Sequence, residues 1–185
     1  VTRSTIRLFN ATTGVELWSF KGELSAECFA FSRDGARIAV GGSNSVITVL
    51  DVATKNVLQR MRAQTNSVRC VAYSADGMGI VSGCADGTVS LWDGETGEEL
   101  RTLRGHSKAV TSVLFSSDGE MLLSGSWDNT IRLWRAAKTD ELKILGGHLD
   151  FIDDFEFSRN SKKLLSMNFG HGSTVVHDVA TGLSV

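Results

Sequence analysis

The sequence predicts an all-β protein, a β-propeller of four-stranded antiparallel blades, and three observations predict it. The chain repeats with a period near 42 residues, and each repeat alternates apolar and polar residues at strand spacing with no helical stretch. Turn residues also fall at fixed places between the strands. The period is read from FSRDG (31–35), YSADG (73–77), FSSDG (115–119) and FSRNS (157–161), which step by 42 residues each time. A second landmark recurs at Leu8-Phe9, Val49-Leu50, Leu91-Trp92, Leu133-Trp134 and Val176-His177, at spacings of 41, 42, 42 and 43.

In the third repeat the pattern predicts strands over 110–115, 121–126, 130–135 and 141–146. The Ser-x-Asp-Gly between the first two is turn chemistry, since Ser and Asp bond back to the backbone and Gly tolerates positive φ. A sheet of this kind has two faces to cover, and stacking equal sheets radially about an axis covers both. Counted this way, the chain is one propeller segment: a partial blade over 1–20, whole blades over 27–62, 68–103 and 110–146, and an incomplete blade over 151–185. Two arrangements follow. One is an open arc belonging to a longer propeller, with apolar faces and strand edges that invite self-association. The other is a tight four-bladed ring in which the outer strand near Gly14–Phe20 closes the last blade.

Composition narrows the function. No apolar run reaches the ~18 residues that span a bilayer, and the first residues lack a secretory signal pattern, so the expected location is intracellular, cytoplasmic or nuclear, with no membrane partner. A net charge of -2 argues against a nucleic-acid partner. The three cysteines form no metal-type CxxC, and Cys28 and Cys70 take the same innermost-strand place in adjacent repeats, where Cys acts as a small hydrophobe. His171, His177 and Asp178 match no structural zinc spacing. The turn at Gly83–Gly87 lacks the following helix that a phosphate site needs. No cofactor or metal is expected.

Arg104-Gly105-His106 followed by Leu133-Trp134, and the run from Gly83 through Asp86 to Trp92-Asp93, resemble the Gly-His and Trp-Asp signatures of the WD-repeat propellers. The resemblance extends over essentially the whole chain. It implies a buried hydrogen-bond network of His, Ser or Thr, Asp and Trp in each blade, supplied in the third repeat by His106, Ser124, Asp128 and Trp134. The second repeat keeps Ser82, Asp86 and Trp92 but has Gln64 in the His place. The first has Gly22, Val40, Asn44 and Leu50, and the fourth keeps His148 and Ser166 but has Gly170 and His177. The family's turn commonly carries Pro, where this chain has Arg33, Ala75, Ser117 and Arg159, and it has no Pro at all. Lower stability than the family norm is expected, with Ser117→Pro raising the melting temperature.

The resemblance also implies that partners dock on the face bearing the tight turn and the loop leading into the innermost strand. The place before the turn Asp is held by Ser43, Ala85, Trp127 and Phe169, which sets two large aromatics on neighbouring blades. Lys108 and Asp150, two residues after the His place, could add rim charge. The expected function is a protein–protein interaction scaffold, not an enzyme, binding a peptide or protein domain. The alternative is a propeller enzyme with catalytic groups in the central channel, but the innermost-strand places Cys28, Cys70, Ser112 and Asp154 form no acidic or His ring.

Overall fold

A computed structural model describes residues 4–22, 24–63, 67–137, 141–145, 151–168 and 172–184. The described residues form antiparallel sheets and no helix, so none of them makes a helix long and apolar enough to cross a membrane. Strands β1 (Ser4–Phe9) and β2 (Glu16–Gly22) pair as a two-stranded sheet. The first blade contains β3 (Ala26–Phe31), β4 (Arg37–Gly42), β5 (Val46–Asp51) and β6 (Val57–Arg62). The second contains β7 (Val68–Tyr73), β8 (Gly79–Cys84), β9 (Val89–Asp93) and β10 (Glu99–Leu103). In the third are β11 (Val110–Phe115), β12 (Met121–Ser126), β13 (Ile131–Arg135) and β14 (Glu141–Leu145). The fourth holds β15 (Asp154–Phe157), β16 (Lys163–Asn168) and β17 (Ser173–Asp178), and His177 bridges Ser184 at its outer edge. Strand order within every blade follows chain order.

The innermost strands β3, β7 and β11 lie side by side, and β15 follows β11. Apolar side chains fill the gaps between blades. Ile47 and Met61 of the first blade pack with Val68, Ile80 and Trp92 of the second. Val81, Leu91 and Leu103 of the second meet Leu122 and Trp134 of the third, and Leu123, Leu133 and Leu145 of the third meet Phe155 and Leu164 of the fourth. Because a middle blade is covered on both faces, its second strand is buried almost continuously: Ile80–Cys84 and Leu122–Ser126 show no alternation. The approach is close enough to dictate residue type. A Cβ on Gly83 would lie 2.4 Å from Val110 Cγ1 of the next blade, so only hydrogen fits there.

Two series of polar contacts run across the same gaps. On the outer strands, Gln59 Nε2 donates to Glu95 O, Arg101 Nη1 to Ala136 O, and Lys143 Nζ to Ala180 O at 2.8 Å. Each donor reaches the turn between the third and fourth strands of the following blade, or its equivalent. On the innermost strands, Cys28 Sγ and Cys70 Sγ point at the carbonyls of Val68 and Val110, 3.6 and 3.7 Å away. Ser112 Oγ donates to Asp154 Oδ1 at 3.3 Å.

The sheets form an open arc. Among the described residues β2 pairs with β1 alone, so the strand near Gly14–Phe20 does not close the fourth blade, and the four-bladed ring is not the structure adopted. At the N-terminal end Ile6, Leu8, Ala26, Phe29, Phe31 and Ile38 line an apolar hollow of about 280 Å³, and Phe29 is 71% exposed.

The turns between first and second strands share one design. Ser32, Ser74 and Ser116 each donate Oγ to the Asp two residues on, whose carboxylate also accepts an amide N–H, while Gly35, Gly77 and Gly119 take positive φ. In the fourth blade Ser161 stands in the Gly place at φ +54°, and its buried Oγ meets both the amide N–H (3.1 Å) and the Oγ (2.9 Å) of Ser117. This corrects the expectation for Ser117→Pro, because proline there removes both bonds between Ser117 and Ser161 across the gap from the third blade to the fourth. Ala75 takes the corresponding corner, and its amide donates to no described residue. Ala75→Pro should therefore stabilise the fold by about 0.4–1 kcal/mol by restricting the unfolded chain, raising the melting temperature about 1–4 °C. Ser117→Pro should leave it unchanged or lower, and differential scanning calorimetry on both variants checks the pair.

Candidate binding face

The strongest polar cluster sits in the third blade, under the tight turn between β12 and β13. Asn129 at φ +68° closes this turn, and Asp128 Oδ1 accepts from the Thr130 amide (3.0 Å) and hydroxyl (2.5 Å). Those bonds hold Thr130 in the turn, so β13 starts at Ile131 instead of 130. Asp128 Oδ2 lies 2.9 Å from His106 Nδ1 and accepts from the Ser107 amide at 3.0 Å. His106 Nε2 lies 2.8 Å from Ser124 Oγ, which also accepts from Trp134 Nε1 at 2.8 Å. With His106 neutral, the donors run in one direction, from Trp134 to Ser124 to His106 to Asp128, and every polar atom in the line is used.

Burial lowers the His106 pKa, and the Asp128 hydrogen bond and charge only partly oppose it, so the ring stays neutral. For Asp128 burial acts to raise the pKa but is outweighed by bonds from Thr130, Ser107 and His106, which hold the carboxyl below its usual range. The Ser, His and Asp types are those of a hydrolytic triad, but Ser124 is fully buried, and its hydroxyl has no opening to a substrate. The three act inside the fold, tying the loop before β11 to the second and third strands.

The other blades carry reduced versions. Trp92 Nε1 donates to Ser82 Oγ at 2.9 Å, while Asp86 Oδ1 accepts from the Thr88 hydroxyl and amide at 2.6 and 3.0 Å. Gln64 lies outside the described residues. In the first blade Val40 and Leu50 replace the polar pair and are both buried, which leaves nothing unsatisfied. In the fourth, His177 takes the Trp place with Nε2 3.3 Å from Ser166 Oγ. His148, Asp150, Phe169, Gly170 and His171 lie outside the described residues.

Directly above the network stands Trp127. Its amide donates to Ala109 O at 3.0 Å, and Ser126 Oγ donates to Lys108 O at 3.1 Å, so turn and preceding loop are bonded together. The Trp127 ring packs against Phe151, with centroids 5.9 Å apart and planes tilted by 44°. Phe151 is held by Asn168 Nδ2, which donates to its carbonyl at 2.5 Å, and by the buried Ile152 beside it. The Arg69 guanidinium lies 5.8 Å from the Trp127 ring centre, and Lys108 Nζ lies 5.6 Å from the Phe151 ring centre. Sequence reasoning names Trp127 and Lys108 but misses Arg69 and Phe151. Arg69 sits on an innermost strand in the place of Glu27, with which it forms a 3.4 Å ion pair, and Phe151 takes the place of Ala109. A step of 42 residues compares like places within blades, and this cluster joins unlike places of adjacent blades.

Among the described residues no group of three or more His, Cys, Asp or Glu could hold a metal ion. Burial raises the thiol pKa to about 12 for Cys28 and about 11 for Cys84, and well above normal for Cys70, which leaves them un-ionised and poor nucleophiles.

The family model described as WD domain, G-beta repeat matches residues 55–93 and 97–135. The matched residues form two WD repeats. Each matched WD repeat starts at the outer strand of one blade and ends with the third strand of the next, as β6–β9 and β10–β13 do, so a single repeat spans a blade junction. No curated protein matches the chain.

Two outcomes follow for the WD-repeat network. Ser124→Ala strands the Trp134 N–H and a His106 nitrogen, and should cost about 1–3 kcal/mol, seen as a lower denaturation midpoint in urea. The His106 pKa is lower in the fold than its ordinary value, so below pH ~6.5 the unfolded chain takes up that proton first. The His106 contribution to stability is therefore full above that pH and declines as the pH falls through the window down to the lowered pKa. Urea titrations from pH 7.5 to 5 should show a steeper acid loss in the wild type than in His106→Gln.

Proposed function

We propose that the protein is a protein–protein interaction scaffold whose WD repeats hold a peptide or protein domain on the face carrying Trp127 and Phe151. WD-repeat domains generally mediate protein–protein contacts, and the contrast among the tryptophans carries the placement. Trp18, Trp92 and Trp134 are 7%, 2% and 2% exposed, whereas Trp127 is 40% exposed. An indole offered to solvent from a bonded turn, next to a second half-exposed ring, loses little conformational freedom on binding and buries a large area. Lys108 sits at the rim of the pair. In Trp127→Ala an authentic partner should lose about 2 kcal/mol of affinity, roughly thirtyfold, while stability changes little because the ring is outside the core.

Affinity capture from native extract, read by mass spectrometry, tests this by comparing the wild type with Trp127→Ala of matched melting temperature. A partner retained by the first and lost by the second is the expected result. Equal capture by both would make Trp127 packing alone. The open end adds a second mode. The exposed rings of Phe29 and Phe31 should drive concentration-dependent self-association, seen by light scattering and reduced in Phe29→Glu. A wild type that stays monomeric at high concentration would sink that expectation.

A further inference from the structure

Resting on the reading of the Trp127 face as a docking surface, we propose that its occupant is an acidic segment, one that carries a carboxylate beside an aromatic or aliphatic side chain. The charges around the two rings select this class. Each ring already has a cation of the protein near it: Arg69 at 5.8 Å from the Trp127 centre and Lys108 at 5.6 Å from the Phe151 centre. An aromatic site that captures cations leaves its ring faces open to them. Here a cationic ligand would have to displace those groups and would be repelled by both.

A carboxylate meets the opposite situation. The Lys108 ammonium is exposed and forms no ion pair with any described residue, and the Arg69 guanidinium keeps donors beyond its single 3.4 Å contact with Glu27. Among the described residues Glu27 is engaged with Arg69, Asp128 with His106, Ser107 and Thr130, and Asp154 with Ser112. A bare surface ion pair would be worth little. The rings change this, because an apolar side chain laid against Trp127 and Phe151 excludes water from the neighbouring charge contact. Both features must therefore come from one short stretch of the partner. The cations lie 5.8 and 5.6 Å from the ring centres, close to the ~6.6–6.8 Å between alternate residues of an extended segment, so an acidic residue next to, or two along from, an apolar one can meet both a ring and its cation.

The test is a random-peptide display selection on the immobilised protein, with Trp127→Ala as counter-screen, followed by fluorescence-anisotropy titrations of the enriched peptides. The expected outcome is Trp127-dependent peptides enriched in Asp or Glu beside Phe, Tyr, Trp or Leu. Their affinity should fall about tenfold in Lys108→Gln and decline as salt is raised. Lys108→Gln is a fair probe, since among the described residues its ammonium forms no hydrogen bond or ion pair and lies beside the Phe151 ring. Trp127-dependent peptides that are neutral or basic, or acidic ones indifferent to Lys108→Gln, would overturn the acidic class and leave the docking face standing. Enrichment independent of Trp127, or no enrichment, would remove the docking face and this inference with it.

Discussion

Everything in this structure depends on the contact of one sheet with the next. A four-stranded sheet of this composition has two apolar faces and cannot bury either against its own strands. Between Ile47 and Trp92, Leu91 and Trp134, and Leu133 and Leu164, the gaps close with side chains from both neighbours. The turns, the polar network and the exposed aromatics are arranged around those gaps. Even the glycine at 83 exists because a strand of the next blade passes too close for a methyl group.

The polar groups follow from the same constraint. A junction held by apolar contact alone can slide, whereas a buried donor that must meet one acceptor fixes the register. The third blade carries the full line from Trp134 to Asp128. The first dispenses with the polar pair by using Val40 and Leu50, and the fourth substitutes an imidazole for an indole at His177. The best-pinned blade is also the one that presents Trp127. Stiffness below and exposure above are then two results of one turn, Trp127 to Thr130, whose Asp128 points inward while its neighbour points out.

Much of this was legible in the residues. The fold class follows from a period written twice, in the Ser-x-Asp-Gly turns and in the Leu-Trp landmarks, because repeating sheets require their turn chemistry to repeat. His106, Ser124, Asp128 and Trp134 could be named because they occupy fixed places within one blade. The bonds Ser117 makes to Ser161 could not be foreseen, since they join two blades and arise where a Ser replaces the usual Gly. For the same reason Arg69 and Phe151 escaped notice. Reading by period aligns equivalent positions, whereas the Trp127 cluster draws on a strand of the second blade, a turn of the third and a loop of the fourth.

The outer-strand contacts of Gln59, Arg101 and Lys143 all point from a blade to its successor and never back. The arc therefore has a direction, like a row of links each hooked into the one ahead. Among the described residues the second and third blades are each hooked on both sides. Held in this way, these two blades should accordingly open late and exchange their amide protons slowly. The Trp127 turn, rooted in the third blade, then stays ordered through excursions that transiently open the rest.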